Sequence, residues 1–140
     1  MSTQSPSSPY QVRKAGPSDV DAICALIKNN PETVLPRSNE EMLELLKSFM
    51  VLEYKDSVIG CVCLEVYSPK IAELRSLVVD EKFRGNGLGA LLVDAAVQEY
   101  KNLGIRQLLV VTSNPDFFSK MNFGPCLNEK YALFWNGQFR

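Results

Sequence analysis

The stretch that decides the fold runs from residue 71 to residue 112: IAELRSLVVD-EKFR-GNGLGALLVDAAVQEYKNLG-IRQLLVVT. Ile71–Asp80 reads as a long apolar strand and Glu81–Asn86 as a loop. From about Gly87 to Leu103 the apolar positions Leu88, Leu91, Leu92, Ala95 and Ala96 follow a 3.6-residue period, which predicts an amphipathic helix. Gly104 stands where a helix C′ residue is expected, and Ile105–Thr112 is a strand rich in Leu and Val. A strand–loop–helix–strand unit of this kind centres an α/β domain.

The loop is Arg84-Gly85-Asn86-Gly87-Leu88-Gly89-Ala90. A Walker loop is excluded because no Gly-Lys-Ser/Thr follows. The dinucleotide fingerprint G-x-G-x-x-A is matched in form by Gly85, Gly87 and Ala90. It fails on context, because Asp80–Arg84 separate it from its strand and the chain is short for a dinucleotide fold with a substrate domain. A third reading is a pyrophosphate cradle, R-x-x-G-x-G, filled by Arg84, Gly87 and Gly89. The first turn of a helix has free N–H groups and a partial positive charge. Glycines let an anion approach that backbone, and Arg84 adds a charged fork of donors.

Upstream, Tyr10–Ala15 reads as a first strand. Pro17-Ser-Asp-Val-Asp opens a helix to about Asn29 with Val20, Ile23, Cys24 and Ile27 on one side, and Pro31–Pro36 breaks it. Ser38-Asn-Glu-Glu is a capping box before a second helix through Met42, Leu45, Leu46 and Phe49. Met50–Tyr54 and Ser57–Tyr67 are strands joined by a tight turn at Lys55-Asp56. In the second, Ile59, Cys61 and Cys63 alternate against Val58, Val62 and Leu64, so both faces are apolar and the strand belongs in mid-sheet. Downstream, Asp116–Met121 fits a short helix, and Phe123–Phe139 one or two further strands.

The domain reading is a Ser/Pro tail over residues 1–9, expected to be disordered, and a single domain over 10–140. With 15 Lys and Arg against 16 Asp and Glu, no positive surplus exists to grip a nucleic-acid backbone. The absence of histidine removes Ser-His-Asp and Cys-His catalysis, the HExxH helix and Cys/His zinc fingers. No metal site is expected. No apolar run approaches the ~20 residues of a membrane span, and no secretory signal is visible, so a cytoplasmic protein is expected. Cys24, Cys61, Cys63 and Cys126 form no C-x-x-C pair and read as small apolar side chains in a reducing compartment.

The central motif and the order of the flanking elements resemble the GNAT superfamily of acetyl-coenzyme A-dependent N-acetyltransferases, from about Val12 to Phe123. Leu35-Pro-Arg-Ser, Phe49-Met-Val-Leu-Glu, Ile59-Gly-Cys, Ala72-Glu-Leu, Val111-Thr112 and Phe117-Phe118 are similar to the acetyltransferase domain of N-acetylglutamate synthase. The amino-acid-kinase domain of many such synthases has no counterpart here, so arginine control is not expected. The resemblance implies a mixed α/β (α+β) fold, with a mostly antiparallel sheet of six to seven strands and about four helices. It implies acetyl-coenzyme A as co-substrate. Main-chain groups of Leu77, Val78 and Val79 would take the pantetheine arm and acetyl carbonyl, and Arg84 to Ala90 (with Gly85, Asn86, Gly87, Leu88 and Gly89) the pyrophosphate. Asn114 matches a family asparagine at the pantetheine, and Phe118 stands where many members have a tyrosine general acid.

Acetyl transfer to an amine needs a neutral amine, so a base or a water chain must remove a proton. Glu73, expected by alternation to share a face with Ile71, Arg75 and Leu77, is the candidate base; an ion pair with Arg75 or a lysine is the competing reading. Phe118 cannot donate a proton. Tyr131 is the candidate acid, with packing as its other reading and water as the other donor. Arg37 and Arg75 are candidates for an acceptor carboxylate, because guanidinium pairs with it through two parallel bonds. The expected acceptor is a small amino acid such as glutamate. A peptide or protein amine, and a non-catalytic module that binds acetyl-coenzyme A, are the alternatives. A homodimer is compatible with a domain of this size.

Overall fold

A computed structural model describes residues 8–30 and 38–125. Five strands form one sheet in the order β1-β2-β3-β4-β5: β1 Tyr10–Lys14, β2 Phe49–Tyr54, β3 Ser57–Ser68, β4 Ile71–Val79 and β5 Gln107–Val110. The first three pairings are antiparallel and β4–β5 is parallel. The sheet has five strands among the described residues, against the six to seven expected; the expected C-terminal strands lie mostly outside them. Four α-helices are described: α1 Val20–Lys28, α2 Asn39–Leu45, α3 Leu88–Asn102 and α4 Pro115–Ser119. None of the described helices is long and apolar enough to cross a membrane.

Local chemistry explains these elements. Ser38 accepts from the Glu41 amide at 3.2 Å while the Glu41 carboxylate accepts from the Ser38 amide at 3.3 Å, the reciprocal cap expected from sequence. Lys55 and Asp56 both have positive φ, 47° and 65°, as a two-residue hairpin between twisted strands requires. β4 and β5 run parallel, so a crossover must join them, and α3 supplies it.

Helices cover both faces. Ile23, Ile27 and Met42 of α1 and α2 pack on Phe49, Val51, Cys61, Cys63 and Val78. On the other face Leu88, Leu92, Val93 and Ala96 of α3, with Phe118 of α4, pack on Leu52, Ile59, Val62 and Leu74.

Two β-bulges correct the alternation read from sequence. Leu52 pairs with Gly60 and Glu53 with Val58, leaving Ile59 as an extra residue on β3. Val58 therefore packs on the α1 face with Cys61 and Cys63, and Ile59 on the α3 face. Cys61 pairs with Val78 and Cys63 with Arg75, so β4 carries Ser76 and Leu77 where β3 has Val62 alone. Beyond this bulge the phase of β4 is reversed. Leu77 and Val79 pack with Leu74 on the α3 face, and Val78 drops into the α1 core. Leu77 therefore does not share the face of Glu73 and Arg75, contrary to the alternation argument.

Candidate active site

β4 and β5 pair only over Ile71–Leu74 and Gln107–Val110. Past the bulge they part, and a cavity of about 450 Å³ opens between them. Its β4 wall is Leu74–Leu77 and Val79. The opposite wall is Val110–Asn114 with Phe117 and Phe118, and the Phe83–Ala90 region closes one end.

That end is built from main chain. Gly85 and Gly87 have φ of +85° and +72°, in the left-handed region that favours glycine. Nothing lies within 4 Å of where a Cβ would stand at either one. The Asn86 side-chain amide donates to the Phe83 carbonyl at 2.9 Å and braces the loop. Gly87 is the N-cap of α3. Among the described residues no side-chain oxygen caps this helix, and its first turn holds no acid. The first helical bond, from the Leu91 amide to the Gly87 carbonyl, is 3.3 Å. The Leu88, Gly89 and Ala90 amides thus have no acceptor within the helix and lie at the cavity wall. Arg84 stands at the rim, its Nε donating to the Val79 carbonyl at 3.2 Å and its terminal nitrogen to Asn30 Oδ1 just past α1.

Across β4 lies a charged cluster. Glu65 and Glu73 are cross-strand partners. Arg75, also on the cavity wall, donates to Glu65 at 2.8 Å. The Tyr67 hydroxyl donates to Glu73 at 2.6 Å. Desolvation first, then the hydrogen bond to Glu73, pushes the Tyr67 phenol up to about 12.

The cavity thus gathers Leu77, Val79, Arg84, Gly85, Gly87, Leu88, Gly89, Ala90, Asn114, Phe118 and Arg75. Asn86 braces the loop from behind. Val78 turns away, its side chain in the α1 core and its carbonyl toward β3 beside Gly60. Glu73 lies off the cavity wall, hydrogen-bonded to Tyr67. Asn114 Oδ1 caps α4 by accepting from the Phe117 amide at 3.4 Å. Phe118 is buried edge-on between Phe117 and Phe123. Arg37 and Tyr131 lie outside the described residues.

Sequence reasoning missed Ser76, Phe83, Val110–Ser113 and Phe117 on the walls, and Glu65 and Tyr67 beside Glu73. A signal was present for Thr112 and Ser113, which follow the strand that ends the crossover unit. None was present for Ser76, whose bulge exists only in the pairing of two strands.

A mixed sheet parted beside a glycine-fed helix start with no side-chain cap defines an α/β domain with main-chain donors at one end of a strand-edge cavity. The chain belongs to the acetyltransferase (GNAT) family, whose pattern it matches over residues 20–123; it is an acyltransferase by family. It is 38% identical over 114 residues to an uncharacterized N-acetyltransferase of Chlorobaculum tepidum, covering 80% of this chain and 74% of the relative. It is 33% identical over 116 residues to the amino-acid acetyltransferase of Mycobacterium tuberculosis, covering 80% and 67%. Its fold is similar to that of Rv2747 from Mycobacterium tuberculosis, solved in complex with CoA and NLQ. The TM-score is 0.79 at 30% identity, over 83% of this chain and 72% of that one.

Proposed function

We propose that this chain transfers the acetyl group of acetyl-coenzyme A to the amino group of a small amino acid, with glutamate the first candidate. The observation that carries the reading is the uncapped start of α3 behind Gly85 and Gly87, at the end of the β4–β5 cavity. A diphosphate fits it: the donors are main chain, and the approach has no Cβ to block it. The relative named for amino-acid acetylation and the similar fold solved with CoA support the same reading.

Each residue then has a task. The Leu88, Gly89 and Ala90 amides and the Arg84 guanidinium hold the diphosphate. Leu77 and Val79 offer main-chain groups to the pantetheine arm and the acetyl carbonyl, while Val78 keeps β4 in its ladder. Asn114 and Phe118 wall the arm on the opposite side. Arg75, neutralised on one side by Glu65, turns its remaining donors to an acceptor carboxylate, and Arg37 is a second candidate for that task. Glu73 takes the amine proton through the oxygen that Tyr67 leaves available. The amine nitrogen bonds to the carbonyl carbon as the C–S bond breaks, and the departing thiolate takes its proton from water or Tyr131. Work in the cytoplasm is part of this reading, in keeping with a Cys61 thiol that serves as a hydrogen-bond donor in the core.

Thiol release from acetyl-coenzyme A, followed across free amino acids and peptides, tests it. Turnover with free amino acids, glutamate foremost, is expected. Turnover with peptides alone overturns the acceptor, and binding without turnover on any amine overturns the enzyme.

A further inference from the structure

Cys61 sits where the β4 bulge is made. Its side chain is fully buried, and it faces Val78 at the register step that leaves Ser76 and Leu77 opposite one residue of β3. Ser76 has φ +53°, a conformation that non-glycine residues hold only where the surroundings enforce it. The Cys61 thiol donates to the Ser76 carbonyl at 3.4 Å. The Ser76 carbonyl is thereby drawn to β3 beside the Cys61–Val78 pair, while Leu77 and Val79 turn to the cavity.

We infer that Cys61 is a positioning residue: its thiol clips the bulge and so sets how Leu77 and Val79 present their main chain to the acetyl-bearing arm of the cofactor. The inference rests on the acetyl-coenzyme A reading above. Burial, chiefly, pushes the thiol up to about 12, so the S–H donor persists at every pH at which an amine can be acetylated. A cysteine that merely filled space would be replaced equally well by any side chain of its volume. A clip needs a donor at that point.

Three variants separate these roles: Cys61→Ala, Cys61→Val and Cys61→Ser. Each is titrated with acetyl-coenzyme A and with 3′-phosphoadenosine 5′-diphosphate, which carries the diphosphate but no pantetheine arm. Amide hydrogen exchange of Leu77 and Val78 is read in parallel. The expected result is an acetyl-coenzyme A affinity about tenfold weaker in the Ala and Val variants, the weight of one hydrogen bond, with the diphosphate fragment unchanged and Ser restoring most of the loss. Exchange at Val78 rises in Ala and Val and falls back in Ser. Equal losses for both ligands, or Val behaving as wild type, overturn the clip. If the wild type binds neither ligand, the acetyl-coenzyme A reading fails. Exchange at Val78 then decides whether Cys61 holds the bulge, and unaltered exchange in Ala and Val overturns that too.

Discussion

Gly87 combines a left-handed φ of +72° with open space where its Cβ would be, so the protein itself would not obstruct a side chain there. A ligand diphosphate would. Gly87→Glu puts a carboxylate against it, and two like charges 4 Å apart repel by about 4 kcal/mol at an effective dielectric near 20. Acetyl-coenzyme A affinity measured by calorimetry should drop at least about 100-fold. Gly87→Asn, which tolerates the same φ and adds bulk without a charge, should fold and lose clearly less binding than Gly87→Glu; retained micromolar affinity in Gly87→Glu removes the cradle. Glu73→Gln keeps an acceptor for the Tyr67 hydroxyl but no base. Its turnover should fall about 100-fold, with a flatter rise against pH, and an unchanged profile assigns Glu73 to the sheet alone. Asp19 is not among the residues lining the cavity, and its paired carboxylate makes stability sensitive to acid. Arg13 holds its carboxylate through two bonds of 2.8 and 2.9 Å, and the Gly16 amide adds one of 2.7 Å. The hydrogen bonds from Arg13, chiefly, place its pKa below the usual carboxylate value. The native state therefore binds this proton less readily than the unfolded chain. The stabilisation is complete above about pH 4 and drains as pH falls toward the folded value. With Arg13 partly exposed, Asp19→Asn should cost about 1–2 kcal/mol at pH 7. That gap should narrow in urea titrations near pH 3; a gap equal at both pH values would assign the cost to packing.

Contact between α3 and the sheet depends on one small residue of β3. A Cβ on Gly60 would stand 3.0 Å from the Val78 carbonyl, 3.1 Å from Leu92 Cδ1 and 3.4 Å from Leu52 Cβ. Leu92 could shift, but the carbonyl is fixed by the β3–β4 ladder. Gly60→Ala should therefore destabilise by about 1–2 kcal/mol, overpacking outweighing the entropy gained in the unfolded chain, and Gly60→Val by more. Denaturant midpoints check this, and an Ala variant as stable as wild type would show that α3 rides freely over β3. The same strand shows what a sequence reveals of its elements. Period-2 and period-3.6 patterns depend on neighbours along the chain, so β3, β4, α3 and the Ser38 cap are legible. The bulges at Ile59 and Ser76 are facts about pairing, and no residue of one strand reports them. For that reason Leu77 was expected on the wrong face while Arg75 was not. The glycine loop is legible because its donors and its conformational freedom lie within seven consecutive residues. The opposite wall is legible only in part: Asn114 and Phe118 follow from the family resemblance, whereas Val110–Ser113 and Phe117 are brought to face β4 by the parallel register.

At the scale of the whole molecule the two sides of the cavity are unequally secured. β1 to β4 form a continuous antiparallel ladder with α1, α2 and α3 packed on it. Among the described residues β5 is tied to that ladder by four register pairs, Ile71–Leu74 with Gln107–Val110, and α4 follows it after a short turn. Segments with little pairing and half-exposed backbone open first in the native state. A ligand that touches both walls raises the cost of that opening. At about 100 times its Kd, acetyl-coenzyme A should stabilise the fold by about 2.7 kcal/mol and lift the melting temperature by about 5–10 °C. The distribution of the gain is the sharper test. Hydrogen exchange should slow most at Gln107–Ser119 and at the start of α3, while amides of β1 and β2, which already exchange through larger openings, should change less. A melting shift with even protection across the sheet would mean that β5 and α4 do not open by themselves. No shift at saturating ligand would mean that the folded chain does not hold the thioester in this cavity.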